Sequence, residues 1–197
     1  YTITNLTAGA AQLTPFVQLK RDSSPAPVAS DAGMGMQPFL GSALTQPDQR
    51  FTKFDFEDMA EDPFRADLTG GWIAMLQHYF VSAWVPDPDN TYRFRTRQTR
   101  SGDNIIGYTG PAMVIAPGET TTISNQLYVG PKNQSVLADL ATHLDLVVDY
   151  GWLWWIAQPL FWLLTMIQSV VTNWGVAIIF LTLLVKLAFF QLSAAGY

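Results

Sequence analysis

Few residues in this chain could do chemistry, and one of them stands in an unusual place. Lys186 interrupts the apolar run LTLLVKLAFF (181–190), and from Gly151 onward there is no Asp, Glu, Arg or other Lys. Apolar residues dominate from Trp174 to Ala195, about the length a helix needs to cross a bilayer. Lys186 lies twelve residues after Trp174, which sets it about 18 Å along a helix rising ~1.5 Å per residue. In a hydrocarbon core of roughly 30 Å that depth is central, and a lysine there costs on the order of 2.5–3.5 kcal/mol. Three readings account for such a charge. It snorkels to the interface, it pairs with a carboxylate on another helix, or it lines a wetted cavity that uses it.

The remaining candidates are plainer. His78 and His143 are the only histidines; neither has a metal-ligand partner at helical or loop spacing, so both read as packed or surface side chains. DFEDMAED (55–62) gathers five carboxylates without the central Gly and closing Glu of a calcium loop, and is expected to be a solvated loop. Arg93, Arg95 and Arg97 alternate and so share one face of a strand, as a docking surface for lipid phosphate or a partner, or as an exposed face or edge protection. There is no cysteine, hence no disulfide, thiolate metal site or thiol nucleophile. No Ser/His/Asp arrangement, phosphate-binding glycine loop or paired-carboxylate motif stands out. Neither a catalytic residue nor a metal nor a cofactor is expected.

The elements that must position these residues fall into two parts. Residues 1–150 hold all sixteen acidic residues and ten of the eleven Lys and Arg, the balance of a soluble acidic domain and a poor match to nucleic acid. YTITN, QLTPFVQLK, FTKFDF, TYRFRTR and TTTISNQLYVG read as strands, separated by the turn formers PDPDN (86–90), SGDN (101–104) and APGE (116–119). Short strands punctuated in this way predict a β-sandwich over 1–132. Residues 21–36 read as a long surface loop, rich in Ser, Pro, Ala and Gly. Residues 133–150 are predicted as a connection, with a short helix over Asn133–His143 that puts Leu137, Leu140 and Leu144 on one side.

Residues 151–173 predict a helix lying in a membrane interface. Pro159 should break the run early or start the helix. Gln158, Thr165, Gln168, Ser169 and Thr172 fall near one stripe, opposite Leu160, Phe161, Leu164, Ile167 and Val171. Trp152, Trp154, Trp155, Trp162 and Trp174 cluster here, and tryptophan favours the headgroup boundary. Residues 174–197 are then the expected transmembrane helix. The chain starts on a strand, with no signal peptide visible, and is expected to be a fragment.

Three collinear stretches, GGWIAMLQHYFVSAWVP (70–86), HLDLVVDYGWLWWIAQPLFWLL (143–164) and NWGVAIIFLTLLVK (173–186), closely resemble the YidC membrane protein insertases of Gram-negative bacteria, as do YTITN, FVQLKR, KFDF and LYVGPK. The resemblance implies the later part of a periplasmic β-sandwich of the galactose-mutarotase type, a periplasmic-surface helix, and the second membrane helix of a multi-pass inner-membrane protein. It implies insertion of nascent membrane proteins, alone or with the Sec translocon and its accessory subunits, in contact with the lipid bilayer, and with the ribosome through parts absent from this chain.

The family's positive residue, usually Arg, sits in a hydrophilic groove open to the cytoplasm and to lipid, and Lys186 matches it. Thr182 one turn before, Ser193 two turns after, and Gly175 complete the same stripe. Lys replaces the bidentate fork of Arg, and Gln191 stands where the family's proline is expected. Two alternatives come from other classes: a membrane-anchored periplasmic binding or scaffold module, and a sugar-epimerase-like enzyme.

Overall fold

The computed structural model describes residues 1–24, 39–148 and 154–190, without the side chain of Trp154. The loop expected over 21–36 therefore lies largely outside the described residues. Contacts divide the chain into two units, Tyr1–Val148 and Asp149–Tyr197.

The first unit is built from antiparallel strands. In order they are β1 (Thr2–Thr4), β2 (Ala11–Leu13), β3 (Phe16–Arg21), β4 (Gly41–Leu44) and β5 (Thr52–Phe54). After the helix α1 (Phe56–Glu61) come β6 (Arg65–Thr69), β7 (Ile73–Leu76), β8 (Phe80–Val85), β9 (Thr91–Gln98) and β10 (Asn104–Thr109). β11 (Met113–Ile115), β12 (Thr120–Thr122) and β13 (Gln126–Pro131) complete the set. Four strands form a sheet in the order β3-β10-β9-β6 and five form another in the order β13-β8-β7-β4-β5; β1 with β12 and β2 with β11 form two small ribbons.

The two large sheets meet face to face. Leu44, Ile73 and Met75 from the five-stranded sheet pack against Tyr92, Phe94, Ile106 and Tyr108 from the four-stranded one. The alternate residues of the five-stranded sheet, Ala43, Ala74, Leu76, Val81 and Ala83, point the other way. There they are covered by Leu137 of α2 (Gln134–Leu140) and by Leu144 and Val147 of the 3-10 turn Leu144–Val147. Because both faces of that sheet are covered, β4 and β7 are buried at every position.

Several expectations are corrected in this unit. Residues 55–62 are not a loop: Asp55 caps α1 by accepting from the Asp58 N–H at 2.7 Å. Glu57 and Asp58 occupy the first turn, where carboxylates complement the positive end of the helix dipole. Met59 is fully buried, so the segment is anchored to the core while its five carboxylates remain exposed. The helix expected over Asn133–His143 stops at Leu140; Asn133 is its cap, and His143 turns the chain through a left-handed φ of 67° into the 3-10 turn. The long strand expected at TTTISNQLYVG is likewise two strands, β12 and β13, in different sheets.

The second unit contains α3 (Trp154–Val171) and α4 (Trp174–Ala188), which pack against each other. Pro159 neither breaks nor starts α3 but lies inside it. Near a helix start several N–H groups have no intrahelical partner in any case. At the sixth position proline forfeits a single bond, the one to the Trp155 carbonyl, while its fixed φ suits the helix. Thr172 ends α3 in a left-handed φ of 55°, donating its N–H to Gln168 O at 2.7 Å. Asn173 then caps α4 by accepting from the Val176 N–H at 3.2 Å. No helix among the described residues is long and apolar enough to cross a membrane. α4 has 15 residues, about 22 Å at ~1.5 Å each, and Gln191 to Tyr197 lie outside the described residues.

Candidate functional site

Lys186 falls in the last turn of α4, where an ammonium faces the negative end of the helix dipole, and it is exposed. On α4 the fully buried residue is Ala177, and Leu181 and Val185 are half-buried, which marks an i, i+4 line as the packed side. At 100° per residue, Gly175, Thr182 and Lys186 lie within about 40° of one another and roughly 100–140° from Leu181 on that line. They form a stripe to one side of the packed face, and all three are exposed. The Thr182 hydroxyl donates to Ile178 O at 2.7 Å, so it carries no unmet donor into an apolar medium. Ser193 lies outside the described residues.

The rest of this unit is apolar on its outside. On α4, Ile179, Leu183 and Leu187 are 61%, 52% and 72% exposed; on α3, Val170 is 82% exposed. An exposed apolar surface this continuous implies an apolar solvent or a partner. Of the tryptophans, Trp155, Trp162 and Trp174 are exposed; Trp152 and the side chain of Trp154 lie outside the described residues. Gln158 and Ser169 keep to an exposed stripe of α3, while Gln168 and Thr165 are half-buried. Thr165 and Ser169 return their hydroxyls to Trp162 O (2.8 Å) and Met166 O (2.7 Å).

In the first unit, Arg93, Arg95 and Arg97 do share the outward face of β9. β9 lies between β10 and β6, so its arginines do not protect an edge. Register brings further residues to that face which the sequence reading missed: Arg65 lies opposite Arg95, and Asp67 opposite Arg93. The signal was available in RADLT, where Ala66 and Leu68 alternate with Arg65 and Asp67. Arg93 grips Asp67 through Nε–Oδ1 at 2.8 Å and Nη2–Oδ2 at 3.2 Å. That hydrogen bond holds the Asp67 carboxyl below its ordinary value.

His78 stacks on Tyr79 with ring centroids 3.9 Å apart. His143 helps to line a cleft of about 860 Å³, together with Arg50, Trp72, Asp87, Asp89 and Asn125. Asp87 and Asp89 are exposed on a turn, and among the described residues no hydrogen bond joins His143 to either carboxylate. No group of His, Asp and Glu suited to a metal ion occurs among the described residues. The fully buried Trp72 ties the sheet to the end of α2, its Nε1–H donating to Thr142 O at 3.1 Å. Gly70 and Gly71, at φ 63° and 85°, supply the left-handed turn that delivers it. Leu144 and Val147, at the start of the stretch 143–164, pack in one core with Trp72, Ala74, Leu76, Val81 and Ala83 of the stretch 70–86.

Comparison with known proteins agrees with these elements. A family model described as the YidC periplasmic domain matches residues 1–163. Membrane protein insertase YidC of Marinomonas sp. (strain MWYL1) is 50% identical over 196 residues, covering 100% of this chain and 35% of that protein. The same-named proteins of Pseudomonas fluorescens (strain SBW25) and Pseudomonas aeruginosa (strain LESB58) are 49% and 47% identical, each over 92% of this chain and 32% and 31% of theirs. The chain thus spans about a third of the length of these relatives. With a matching model over most of its length and half of its residues shared with such proteins, the chain belongs to the YidC family.

Proposed function

We propose that this chain works as part of a membrane protein insertase of the bacterial inner membrane, with its β domain in the periplasm. In this reading α3 lies along the periplasmic surface, and α4 opens a membrane-spanning helix that continues beyond Phe190. Lys186, with Thr182, Gly175 and Ser193, lines a wet groove. The work is transport, with no bond made or broken. A polar segment of a nascent protein entering the bilayer loses water, and an ammonium in a hydrated groove gives it a transient partner. The groove also spares the lysine most of its own desolvation cost.

One observation carries the reading: α4 exposes an apolar surface with a single charge, set on a stripe to the side of the line that packs. A snorkelling lysine needs no polar stripe, and an ion-paired one would take its carboxylate from a helix outside residues 151–197, which hold no Asp or Glu.

The test uses the full-length protein reconstituted with a short single-spanning substrate, with folding yield and insertion rate measured together. Lys186→Arg keeps most activity, because charge rather than fork geometry is used. Lys186→Glu impairs it most, by reversing the field that acidic passengers meet. Lys186→Leu leaves yield intact but slows substrates with polar termini more than purely apolar ones. If Lys186→Leu lowers yield and spares the rate per folded molecule, the lysine is structural and the groove reading fails.

A further inference from the structure

The outward face of the four-stranded sheet concentrates positive charge on an acidic domain. Register lays out three rows across β3, β10, β9 and β6: Phe16–Thr109–Arg93–Asp67, Gln18–Gly107–Arg95–Arg65, and Lys20–Ile105–Arg97. The face holds five cations and two aspartates, counting Asp103, which pairs with Lys20 at 2.9 Å. The rest of residues 1–150 carries fourteen acids against five bases. Asp67 occupies Arg93 and Asp103 occupies Lys20. Among the described residues, Arg65, Arg95 and Arg97 have no acidic partner.

Two features mark this as more than a solvated surface. Arg65 and Arg95 are direct cross-strand partners, and like charges in that relation destabilise a sheet. Phe16, at the end of the same face, is 65% exposed. An exposed aromatic on the same face as arginines is the side-chain combination that carries binding energy at protein interfaces.

We propose that this face, with Arg65, Arg95 and Arg97 on its β9–β6 side and Phe16 on the opposite edge strand, docks an acidic segment of a partner polypeptide that also carries an apolar residue. Arg95 and Arg97 stand two residues apart on one strand, about 7 Å. Acidic residues at i and i+2 of an extended segment repeat at that same spacing. A lipid headgroup is the less suitable occupant. The chain leaves this domain at Val148, in the layer formed by α2 and the 3-10 turn, and both sheets lie between that layer and the arginines. Val148 and the arginines thus lie on opposite sides of the two sheets.

The test measures binding of a fluorescent peptide of alternating Glu and Ala with one Phe to the full chain held in neutral-lipid nanodiscs. Binding is expected at low salt and lost at high salt. Arg95→Glu and Arg97→Glu each weaken it about tenfold, and Arg95→Gln by a smaller factor. Arg50→Glu, off the face, leaves binding unchanged. Arg95→Gln also unfolds no earlier than the parent, since it relieves the contact with Arg65. Absence of binding overturns the proposal, as does an Arg50→Glu effect equal to that of Arg95→Glu. So does an arginine-dependent interaction with short-chain phosphatidylglycerol that the peptide does not share.

Discussion

The two units bury their apolar residues in opposite senses. In Tyr1–Val148 the aliphatic and aromatic side chains of β4, β7, β9 and β10 face one another across a closed core, and the charges lie outside. In the second unit Ala177 is the one fully buried core residue among those described, while Ile179, Leu183 and Leu187 face outward. One physical rule would produce both patterns if the solvents differ as proposed. Water hides Phe94 and Ile106 in the first unit; the hydrocarbon proposed around the second would leave Leu187 outside and make Lys186 the costly residue. The difference also separates two uses of tryptophan: Trp72 is a core strut bonded to Thr142 O, whereas Trp162 is 65% exposed.

That contrast can be broken at its tryptophans. Trp72→Ala is expected to destabilise the β domain by about 3–5 kcal/mol, the usual cost of removing a fully buried large aromatic, read as the urea midpoint of the full chain in detergent. Trp162→Ala is expected to leave that midpoint unchanged and to weaken membrane attachment of the second unit, by on the order of 1 kcal/mol for its half of an aromatic burial. If Trp162→Ala moves the domain midpoint as much as Trp72→Ala does, the two-solvent comparison is wrong.

A smaller effect sharpens the description of the core. Burial pushes the Tyr108 hydroxyl well above its ordinary value, and the nearby Tyr92 adds to the shift. Its O–H donates to Asn125 Oδ1 at 2.9 Å. Below pH of about 10 Tyr108 is protonated in both states and this contribution is flat. As pH rises past that point the unfolded chain ionises it first, so stability falls. Tyr108→Phe should therefore cost about 1 kcal/mol near neutrality for the lost bond and reduce the alkaline loss. Parallel alkaline limbs in parent and variant would contradict the burial of this hydroxyl.

How much of this was legible depended on how many faces an element covers. β9 was readable because one face is wet, so Tyr92, Phe94 and Thr96 alternate with the three arginines. β4 and β7 gave no alternation, because the five-stranded sheet is covered on both sides and Ser42, Ala43, Ala74 and Met75 are all buried. α1 was read as an acidic loop since its apolar anchors, Phe56 and Met59, are outnumbered by carboxylates. The cap at Asp55 and the first-turn acids were the overlooked signal. At the candidate sites, helical spacing sufficed to group Gly175, Thr182 and Lys186. Spacing along β9 could not supply Arg65 and Asp67, which reach the same face only through pairing between strands distant in sequence.

In the proposed arrangement the second unit meets lipid in two ways, with α3 along the surface and α4 running inward. Spin labels walked from Leu160 to Val171 and from Val176 to Leu187 of the full-length protein in a bilayer report the depth of each position directly. The expected depth oscillates with helical period and shows no net descent along α3, followed by a steady descent along α4. A steady descent along α3 to the bilayer centre, or a flat shallow profile along α4, would contradict it.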